Sequence, residues 1–337
     1  MSRGGLSARG VGLARRLARS RPGQRLIEAM REQPPPEAPL DKWLAHYFDE
    51  RLQRLDRECA GAGPDAFALF RDLDDDLWTV LLSRRYERYP NIRALLPELP
   101  DESLQVRWNG AAGLTLLNQG KAFYAKARQR FSTHSTVALS DARVLDFGCG
   151  WGRLTRFFAR DVSPGALYGC DPVEEIVELS RRLRVPAALA RCEFVPERLP
   201  FEERFELVFA FSVFTHISEA AHEASLRAIH ASLDPGGILI VTIRSPAYLS
   251  HSEAMHPLLT SLGPDPLAAL TEPRYLFAPH AARLEHPQYD GGEMTYGETV
   301  ISLAYVQERW APLFELVDVS LLSDDLHQVV LTLRRGG

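Results

Sequence analysis

The residues whose types and spacing most clearly suit ligand binding form a glycine-rich turn after a short apolar segment. Residues 144–154 read VLDFGCGWGRL, so Gly148, Gly150 and Gly152 occupy every second position. Glycine lets the backbone adopt positive φ and approach a ligand closely, because it has no Cβ. A helix that begins after such a turn offers unpaired N–H groups and the positive end of its dipole. The stretch therefore predicts a strand, a ligand-binding turn and a helix.

Two details of the turn narrow the choice of ligand. In the dinucleotide-binding pattern the third glycine lies three residues after the second, whereas Gly152 follows Gly150 by two. Asp146 lies two residues before the first glycine, where a carboxylate would repel a pyrophosphate but suits a ligand with an ammonium group. With these features the turn resembles the first motif of the class I methyltransferases that depend on S-adenosylmethionine (SAM).

This resemblance implies how SAM would be bound and S-adenosylhomocysteine (SAH) released as product. The methionine tail would lie over the turn, Cys149 included, with its ammonium group near Asp146. Arg153 begins the helix and would face either the carboxylate of that tail or only solvent. Both orientations of Arg153 are open at this stage.

The ribose needs a carboxylate that accepts hydrogen bonds from two hydroxyls. Asp171 ends the apolar segment LYGCDP, 19 residues after Gly152, and we expect an exposed side chain there. The spacing matches the acidic residue that binds the ribose in Rossmann-like units, although an aspartate before proline is also common in turns. Pro172 would then line the adenine.

The adenine contacts are less well marked. The family often places an aspartate about four residues before a Leu-Pro-Phe sequence, and here that position is occupied by Val195. Glu193 is the nearest acidic residue that could meet the adenine amine. Phe194 could contact the adenine ring instead.

The segment 205–218, FELVFAFSVFTHIS, predicts a strand that ends near the reacting groups. By resemblance, the backbone at Phe211 and Ser212 would approach the methionine moiety. His216 follows near the expected point of methyl transfer, either as a packed structural residue or as a general base for a hydroxyl acceptor. The next candidates for a base are Tyr296 and Glu298.

Composition limits the classes of protein and partner. The chain has 337 residues, which is enough for one large domain with appendages, and its net charge of −5 argues against a nucleic-acid partner. The four cysteines show no zinc spacing, so we expect no metal site and reduced thiols. No apolar run reaches the ~18 residues of a membrane span, which leads us to expect a cytoplasmic protein.

Strand–helix alternation begins near residue 140 and predicts an α/β fold. The class is a doubly wound, seven-stranded sheet with a helical N-terminal cap, and the resemblance implies strand order 3-2-1-4-5-7-6 with an antiparallel last pair. The acidic run before Leu77 predicts a helix start, and residues 103–133 predict one helix. We expect three regions: a basic tail that is disordered or a transit peptide over residues 1–36, the cap over 37–139, and the SAM-binding domain over 140–337.

Residues 245–299 form a long insertion in that domain. Long loops in compact domains are often lids, and this one begins at a carboxyl strand end, where ligands bind. An ordinary structural insertion is the alternative. The insertion is rich in polar aromatic, acidic and histidine side chains, namely His251, His256, His280, His286, Tyr289, Asp290, Glu293, Tyr296 and Glu298.

The sequence thus predicts a SAM-dependent methyltransferase that acts on the oxygen or nitrogen of a small-molecule or glycan acceptor. Two alternatives remain. One is a catalytically silent binding or regulatory protein with the same fold. The other is an NAD(P)-dependent oxidoreductase, against which the glycine spacing and Asp146 both argue.

Overall fold

The computed structural model describes residues 40–63, 65–281 and 294–336. The chain divides into two compact units, residues 1–47 and 48–337. Of the first unit, the structure describes residues 40–47, which begin helix α1. The predicted basic tail, residues 1–36, lies outside the described residues.

Helices dominate the chain before the sheet. They are α1 (Asp41–Cys59), α2 (Asp75–Leu82), α3 (Pro90–Leu95), α4 (Glu102–Asn109) and α5 (Gly113–His134), with 3-10 turns at Ala66–Phe70 and Leu139–Asp141. The predicted helix start in the acidic run is confirmed, because the Asp74 side chain caps α2 by accepting a 2.8 Å hydrogen bond from Leu77 N. The prediction of one helix over 103–133 is wrong. Gly110 ends α4 with a left-handed φ of 75°, and α5 begins three residues later.

Nine strands follow in the described residues. They are β1 (Val144–Phe147), β2 (Leu167–Asp171), β3 (Ala188–Arg191), β4 (Phe205–Ala210), β5 (Leu233–Arg244), β6 (Tyr275–Pro279), β7 (Gly297–Ile301), β8 (Phe314–Leu322) and β9 (Asp325–Arg335). Seven of them form the main sheet, in the order β3-β2-β1-β4-β5-β9-β8, and β6 pairs with β7 in a separate sheet. Strands β1 to β5 are parallel, and β9 is antiparallel to both β5 and β8.

The α/β class and the seven-stranded, mostly parallel sheet are therefore confirmed. Counted over the strands of that sheet alone, the order is 3-2-1-4-5-7-6. The numbering along the chain differs because β6 and β7, which the sequence analysis did not predict, lie between β5 and the closing hairpin. Strands β1 and β4 are almost wholly buried, as expected when both faces of a parallel sheet are covered.

The remaining helices lie between these strands along the chain. They are α6 (Thr155–Phe158), α7 (Glu174–Arg182), α8 (Glu219–Ser232), α9 (Tyr248–His251), α10 (His256–Ser261), α11 (Pro266–Ala269) and α12 (Leu303–Arg309). A 3-10 turn at Glu253–Met255 separates α9 from α10. Among the described residues, no helix is both long and apolar enough to cross a membrane.

The insertion has a small core of its own. Tyr248, Leu249, Met255 and Leu270 are buried together with Val300, which follows the insertion, in a cluster separate from the main core of the sheet. Residues 282–293 lie outside the described part of the chain, and the predicted lid residues His286, Tyr289, Asp290 and Glu293 are among them. The rest of the insertion is a packed substructure with its own strand pair, β6 and β7.

A buried arginine joins the N-terminal helices to the sheet domain. Arg160 has a fully buried side chain that donates to Leu73 O at 2.8 Å and to the Tyr124 hydroxyl at 3.1 Å. It also forms an ion pair with Asp75, in the first turn of α2. A buried guanidinium is tolerated only when its charge and its N–H groups have partners.

We therefore predict a large stability difference between neighbouring acidic residues. Asp75→Ala leaves buried Arg160 with only the more distant Asp161, whose Oδ2 lies 4.0 Å from Nε, as counter-ion, and should lower the free energy of unfolding by about 3 kcal/mol. Asp76→Ala removes an exposed pair with Lys121 and should cost no more than about 1 kcal/mol. Urea unfolding followed by circular dichroism measures both. Equal losses in the two variants would contradict this role of Arg160.

Candidate functional site

A cavity of about 490 Å³ opens at the carboxyl ends of the parallel strands, where open α/β sheets bind ligands. The predicted site residues that line it are Asp146, Gly148, Cys149, Gly150, Arg153, Asp171, Pro172, Glu193, Phe194, Phe211, Ser212, His216 and Tyr296. Two predicted residues, Gly152 and Glu298, do not line it. The fold therefore brings side chains separated by up to 150 positions into one cleft.

The three glycines of the turn have different roles. All three have positive φ, with values of 75°, 53° and 76° for Gly148, Gly150 and Gly152. A Cβ on Gly148 would lie 2.4 Å from Val213, and one on Gly152 would lie 2.6 Å from Val185. A Cβ on Gly150 would meet no atom within 4 Å, because this residue borders the cavity. Gly152 is therefore required for packing, which corrects its predicted contact with the ligand.

Asp171 holds the glycine turn in place. Its carboxylate accepts hydrogen bonds from Gly150 N and from Val173 N, both at 3.0 Å. The residue is 7% exposed, so the expectation of an exposed strand-end carboxylate is wrong. Burial raises the pKa of Asp171 to about 6. Each carboxylate oxygen keeps a second lone pair, with which it can also accept from a ligand hydroxyl.

Asp146 and Arg153 supply opposite charges beside the turn. Asp146 is buried in β1 and accepts a 2.6 Å hydrogen bond from the Thr155 hydroxyl; burial raises its pKa to about 7. The Arg153 guanidinium lies 5.1 Å from the centre of the Phe211 ring and lines the cavity. Arg153 therefore borders the cavity and does not face solvent alone. Burial lowers the pKa of Arg153 to about 10, so it stays cationic at neutral pH.

The predicted adenine contacts lie at the rim of the cavity. Glu193 has a side chain that is 72% exposed and lies 3.8 Å from Arg191, with which it forms an ion pair. Phe194 is half-buried and lines the same cavity. An apolar ring at this position can cover a base more readily than a solvated carboxylate can bind it.

His216 has no free nitrogen. Its Nδ1 lies 2.8 Å from Gly297 O, and because a carbonyl only accepts, Nδ1 carries the proton. Its Nε2 lone pair then accepts from Arg244 Nη2 at 3.1 Å. Burial, followed by the charge of Arg244, lowers the pKa of His216 to about 4. This geometry does not suit a general base, because the first candidate base from the sequence is a neutral imidazole with both nitrogens engaged.

The other two candidate bases are also poorly placed. Glu298 Oε2 accepts a 2.7 Å hydrogen bond from the Tyr248 hydroxyl and lies 3.5 Å from Arg244 Nη2, outside the cavity lining. Tyr296 lines the cavity and stacks on His216, with ring centres 5.2 Å apart. Burial and the nearby Glu298 raise the pKa of Tyr296 to about 12, which is high for a base at neutral pH.

The sequence analysis missed Arg244, the last residue of β5. A usable signal was present, because an arginine follows the apolar run ILIVTI at a carboxyl strand end. It also missed the cavity residues from α4 and α5 and those from the hairpin of β8 and β9, which are Trp108, Asn109, Gly110, Gln119, Ala122, Leu322, Asp324, Asp325 and Gln328. No periodicity indicates such contacts, because the sheet topology alone brings these segments to one edge.

Residues of α4 and α5 and of the β8–β9 hairpin line the cavity in larger number than residues of the insertion, which was predicted to cover it. Within the described part of residues 245–299, only Thr295 and Tyr296 line the cavity. The end of α4 is tied to the glycine turn instead, because the Trp151 indole N–H donates to Asn109 Oδ1 at 2.9 Å. In the parts of the chain that the structure describes, no cluster of three or more His, Cys, Asp or Glu residues could hold a metal ion.

Comparisons with known proteins agree with this architecture. Residues 144–237 match a family model described as a methyltransferase domain. Trans-aconitate 2-methyltransferase of Pseudomonas aeruginosa is 29% identical over 168 residues, which are 48% of this chain and 55% of that protein. Ubiquinone biosynthesis O-methyltransferase of a Bradyrhizobium species is 32% identical over 111 residues, or 32% of this chain and 42% of that protein. This chain thus spans about half the length of these relatives.

A solved SAM-dependent methyltransferase from Mesorhizobium loti aligns over 64% of this chain and 98% of its own, with 15% identity and a TM-score of 0.42. The matched family model covers β1, the glycine turn, Asp171 and the start of β5, and the first three of these contribute residues to the cavity lining. Residues 144–237 of this chain are thus similar to a methyltransferase domain.

Proposed function

We propose that this protein is an enzyme that transfers a methyl group from SAM to an oxygen or nitrogen of a small-molecule or glycan acceptor. The observation that carries the proposal is the glycine turn. It leaves open space at Gly150 while Asp171 fixes its backbone against the end of β2. The two relatives are named for trans-aconitate and for ubiquinone biosynthesis, which supports a small-molecule acceptor.

Each part of SAM has a matching group in the cavity. Asp146 would receive the ammonium group, and Arg153, which has no hydrogen-bond acceptor among the described residues, would receive the carboxylate. Asp171 would accept from the ribose hydroxyls with its remaining lone pairs. Pro172 and Phe194 would flank the adenine, with Glu193 at the solvent edge. The backbone of Cys149, Phe211 and Ser212 would lie along the methionine chain.

The chemistry demands little of the protein beyond position. The acceptor attacks the methyl carbon in line with the C–S bond, and a neutral thioether leaves. The protein must hold the acceptor within about 3 Å of the methyl group with its orbitals aligned, and it must exclude water. We propose that the helical cap contributes to the wall of the site through α4 and α5, and the insertion through Tyr296.

Calorimetry with SAM, SAH and NADH tests the assignment. We expect saturable binding of SAM and SAH and none of NADH. Preferential binding of NADH would support the oxidoreductase alternative and contradict the proposal. If SAM binds but labelled SAM transfers no methyl group to any acceptor tested, the protein would be the silent, regulatory alternative.

We predict that Gly150→Ala weakens SAM binding more than it weakens the fold. The new Cβ enters the space left for the cofactor, so affinity should fall at least tenfold. The positive φ of 53° should cost about 1 kcal/mol of stability. Gly152→Ala is the matched control, because its Cβ meets Val185 instead of the cavity and should lower the melting temperature more. Normal SAM affinity in folded Gly150→Ala would exclude the turn as the cofactor site.

We also predict that SAM affinity falls as the pH drops below about 7. Asp146 has a raised pKa of about 7 in the free protein, so at lower pH it is protonated and must lose that proton to bind an ammonium group as a carboxylate. The loss should approach tenfold per pH unit. Calorimetry at pH 6.0 to 7.5 measures the slope.

Asp146→Asn is the control for this pH dependence. It keeps an acceptor for Thr155 but cannot ionise, so its SAM affinity should be lower and nearly flat between pH 6.5 and 7.5. Asp171, with a pKa of about 6, would still add a slope below that window. An unchanged slope in Asp146→Asn would show that another group titrates.

A further inference from the structure

We propose that the methyl acceptor is a carboxylate, bound by Arg244 and Gln328, and that the product is a methyl ester. This inference rests on the proposed function and narrows it to one acceptor class. It depends on three features of the described residues. These are an anchored guanidinium with unused donors, an amide beside it with one unpaired end, and a cavity whose candidate bases are engaged elsewhere.

Arg244 is fixed by contacts with other side chains, and some of its N–H groups have no acceptor among the described residues. Its Nη2 donates to His216 Nε2 at 3.1 Å and lies 3.5 Å from Glu298, which is outside the cavity lining. Its guanidinium carbon lies 3.8 Å from the centre of the Tyr248 ring. Its Nε is buried without an acceptor, and Nη1 has none among the described residues. A guanidinium so fixed is suited to bind an oxyanion.

Gln328 extends this binding surface across the sheet. It lies directly opposite Arg244 in the antiparallel ladder of β5 and β9, so the two side chains share one face at the edge of the cavity. Gln328 is 4% exposed, and its Nε2 donates to Ser212 Oγ at 3.1 Å while its Oε1 has no partner. Rotating the amide by half a turn lets the Ser212 hydroxyl donate to Oε1 and points Nε2 at an acceptor oxygen.

Among the described residues, none that lines the acceptor part of the cavity is a suitable base. His216 has both nitrogens engaged, and the Tyr296 hydroxyl holds its proton at neutral pH. Asp324 is exposed at the tip of the hairpin, and Asp325 Oδ1 caps its own turn by accepting from His327 N at 3.1 Å. A hydroxyl acceptor must lose a proton during transfer, whereas a carboxylate arrives ionised.

The reaction balances without proton transfer. A lone pair of one carboxylate oxygen attacks the methyl carbon, the C–S bond breaks, and its electrons remain on sulfur. An anion and a sulfonium cation become a neutral ester and neutral SAH. Arg244 and Gln328 bind the other carboxylate oxygen, which leaves the attacking oxygen free. Mutual loss of charge is favoured in a cavity that water enters poorly.

The test uses the full chain and SAM with a tritiated methyl group. The acceptor panel contains small carboxylic acids, trans-aconitate among them, together with phenols, sugars and amines. Mild alkali hydrolyses a methyl ester to volatile methanol but leaves ethers and N-methyl groups intact. We expect label on at least one carboxylic acid, released by alkali, with a kcat that does not change between pH 7 and 9.

Variants connect the activity to the proposed residues. Arg244→Gln should raise the KM for the carboxylic acid at least tenfold and keep SAM affinity within twofold, and Arg244→Lys should recover part of the loss. Gln328→Ala should also raise that KM. The exposed Arg227, on α8, is the matched control, and Arg227→Gln should behave as the parent protein.

The inference and the proposed function fail in different ways. The carboxylate assignment would be overturned if all the transferred label were stable to alkali. It would also be overturned if other acceptors of the panel were methylated and no carboxylic acid was. Either result would leave the methyltransferase proposal intact. The same conclusion would follow from a kcat that rises tenfold per pH unit, or from an unchanged KM in Arg244→Gln. Failure to bind SAM would overturn the proposed function itself.

Discussion

The structure of the cleft depends on one buried carboxylate that receives two backbone hydrogen bonds. Asp171 accepts from Gly150 N and Val173 N, so it fixes the glycine turn after β1 and the start of the connection after β2 with a single side chain. Parallel strands do not by themselves determine where their loops point. The two hydrogen bonds to Asp171 set the direction of these loops, and they keep the backbone of Gly150 against the cavity, where we propose that the cofactor binds.

The same turn is also fixed from the opposite side by a buried cation. Arg156 donates from Nε to Gly152 O at 2.9 Å and from Nη1 to Glu98 O at 3.0 Å, and its guanidinium lies over the Trp151 ring. Burial lowers the pKa of Arg156 to about 9, so it remains charged at neutral pH. The helical region before the sheet is therefore part of the cleft. It supplies the carbonyl that Arg156 binds and the amide that binds Trp151.

Much of the proposed cofactor half of this site is predictable because its signals are local. The glycine spacing, Asp146 and Asp171 each lie at a strand end, and a strand, a turn and a helix can be recognised within a few residues. What the local signal did not reveal is which glycine serves packing. Gly152 is required by Val185, which lies 33 positions later. The burial of Asp171, at the end of β2, likewise depends on the glycine turn that follows β1.

The acceptor half was predicted less well, because its residues come from distant segments. His216 looked like a base from its position after β4. Its two nitrogens are engaged by Gly297 O and Arg244, residues on β7 and β5 that a linear pattern does not connect to it. Arg244 and Gln328 face each other through the register of an antiparallel ladder that forms only once the closing hairpin returns to β5. Side chains whose roles depend on register cannot be paired from periodicity alone.

The central claim is that the cleft between the glycine turn and Asp171 binds SAM in a defined orientation. A crystal structure of the full chain with SAH tests it most directly. The account predicts the ribose hydroxyls on Asp171, the amino group near Asp146, the carboxylate near Arg153, and the sulfur directed towards Ser212 and Arg244. Density for SAH elsewhere, or in the cleft with its ribose away from Asp171, would contradict it.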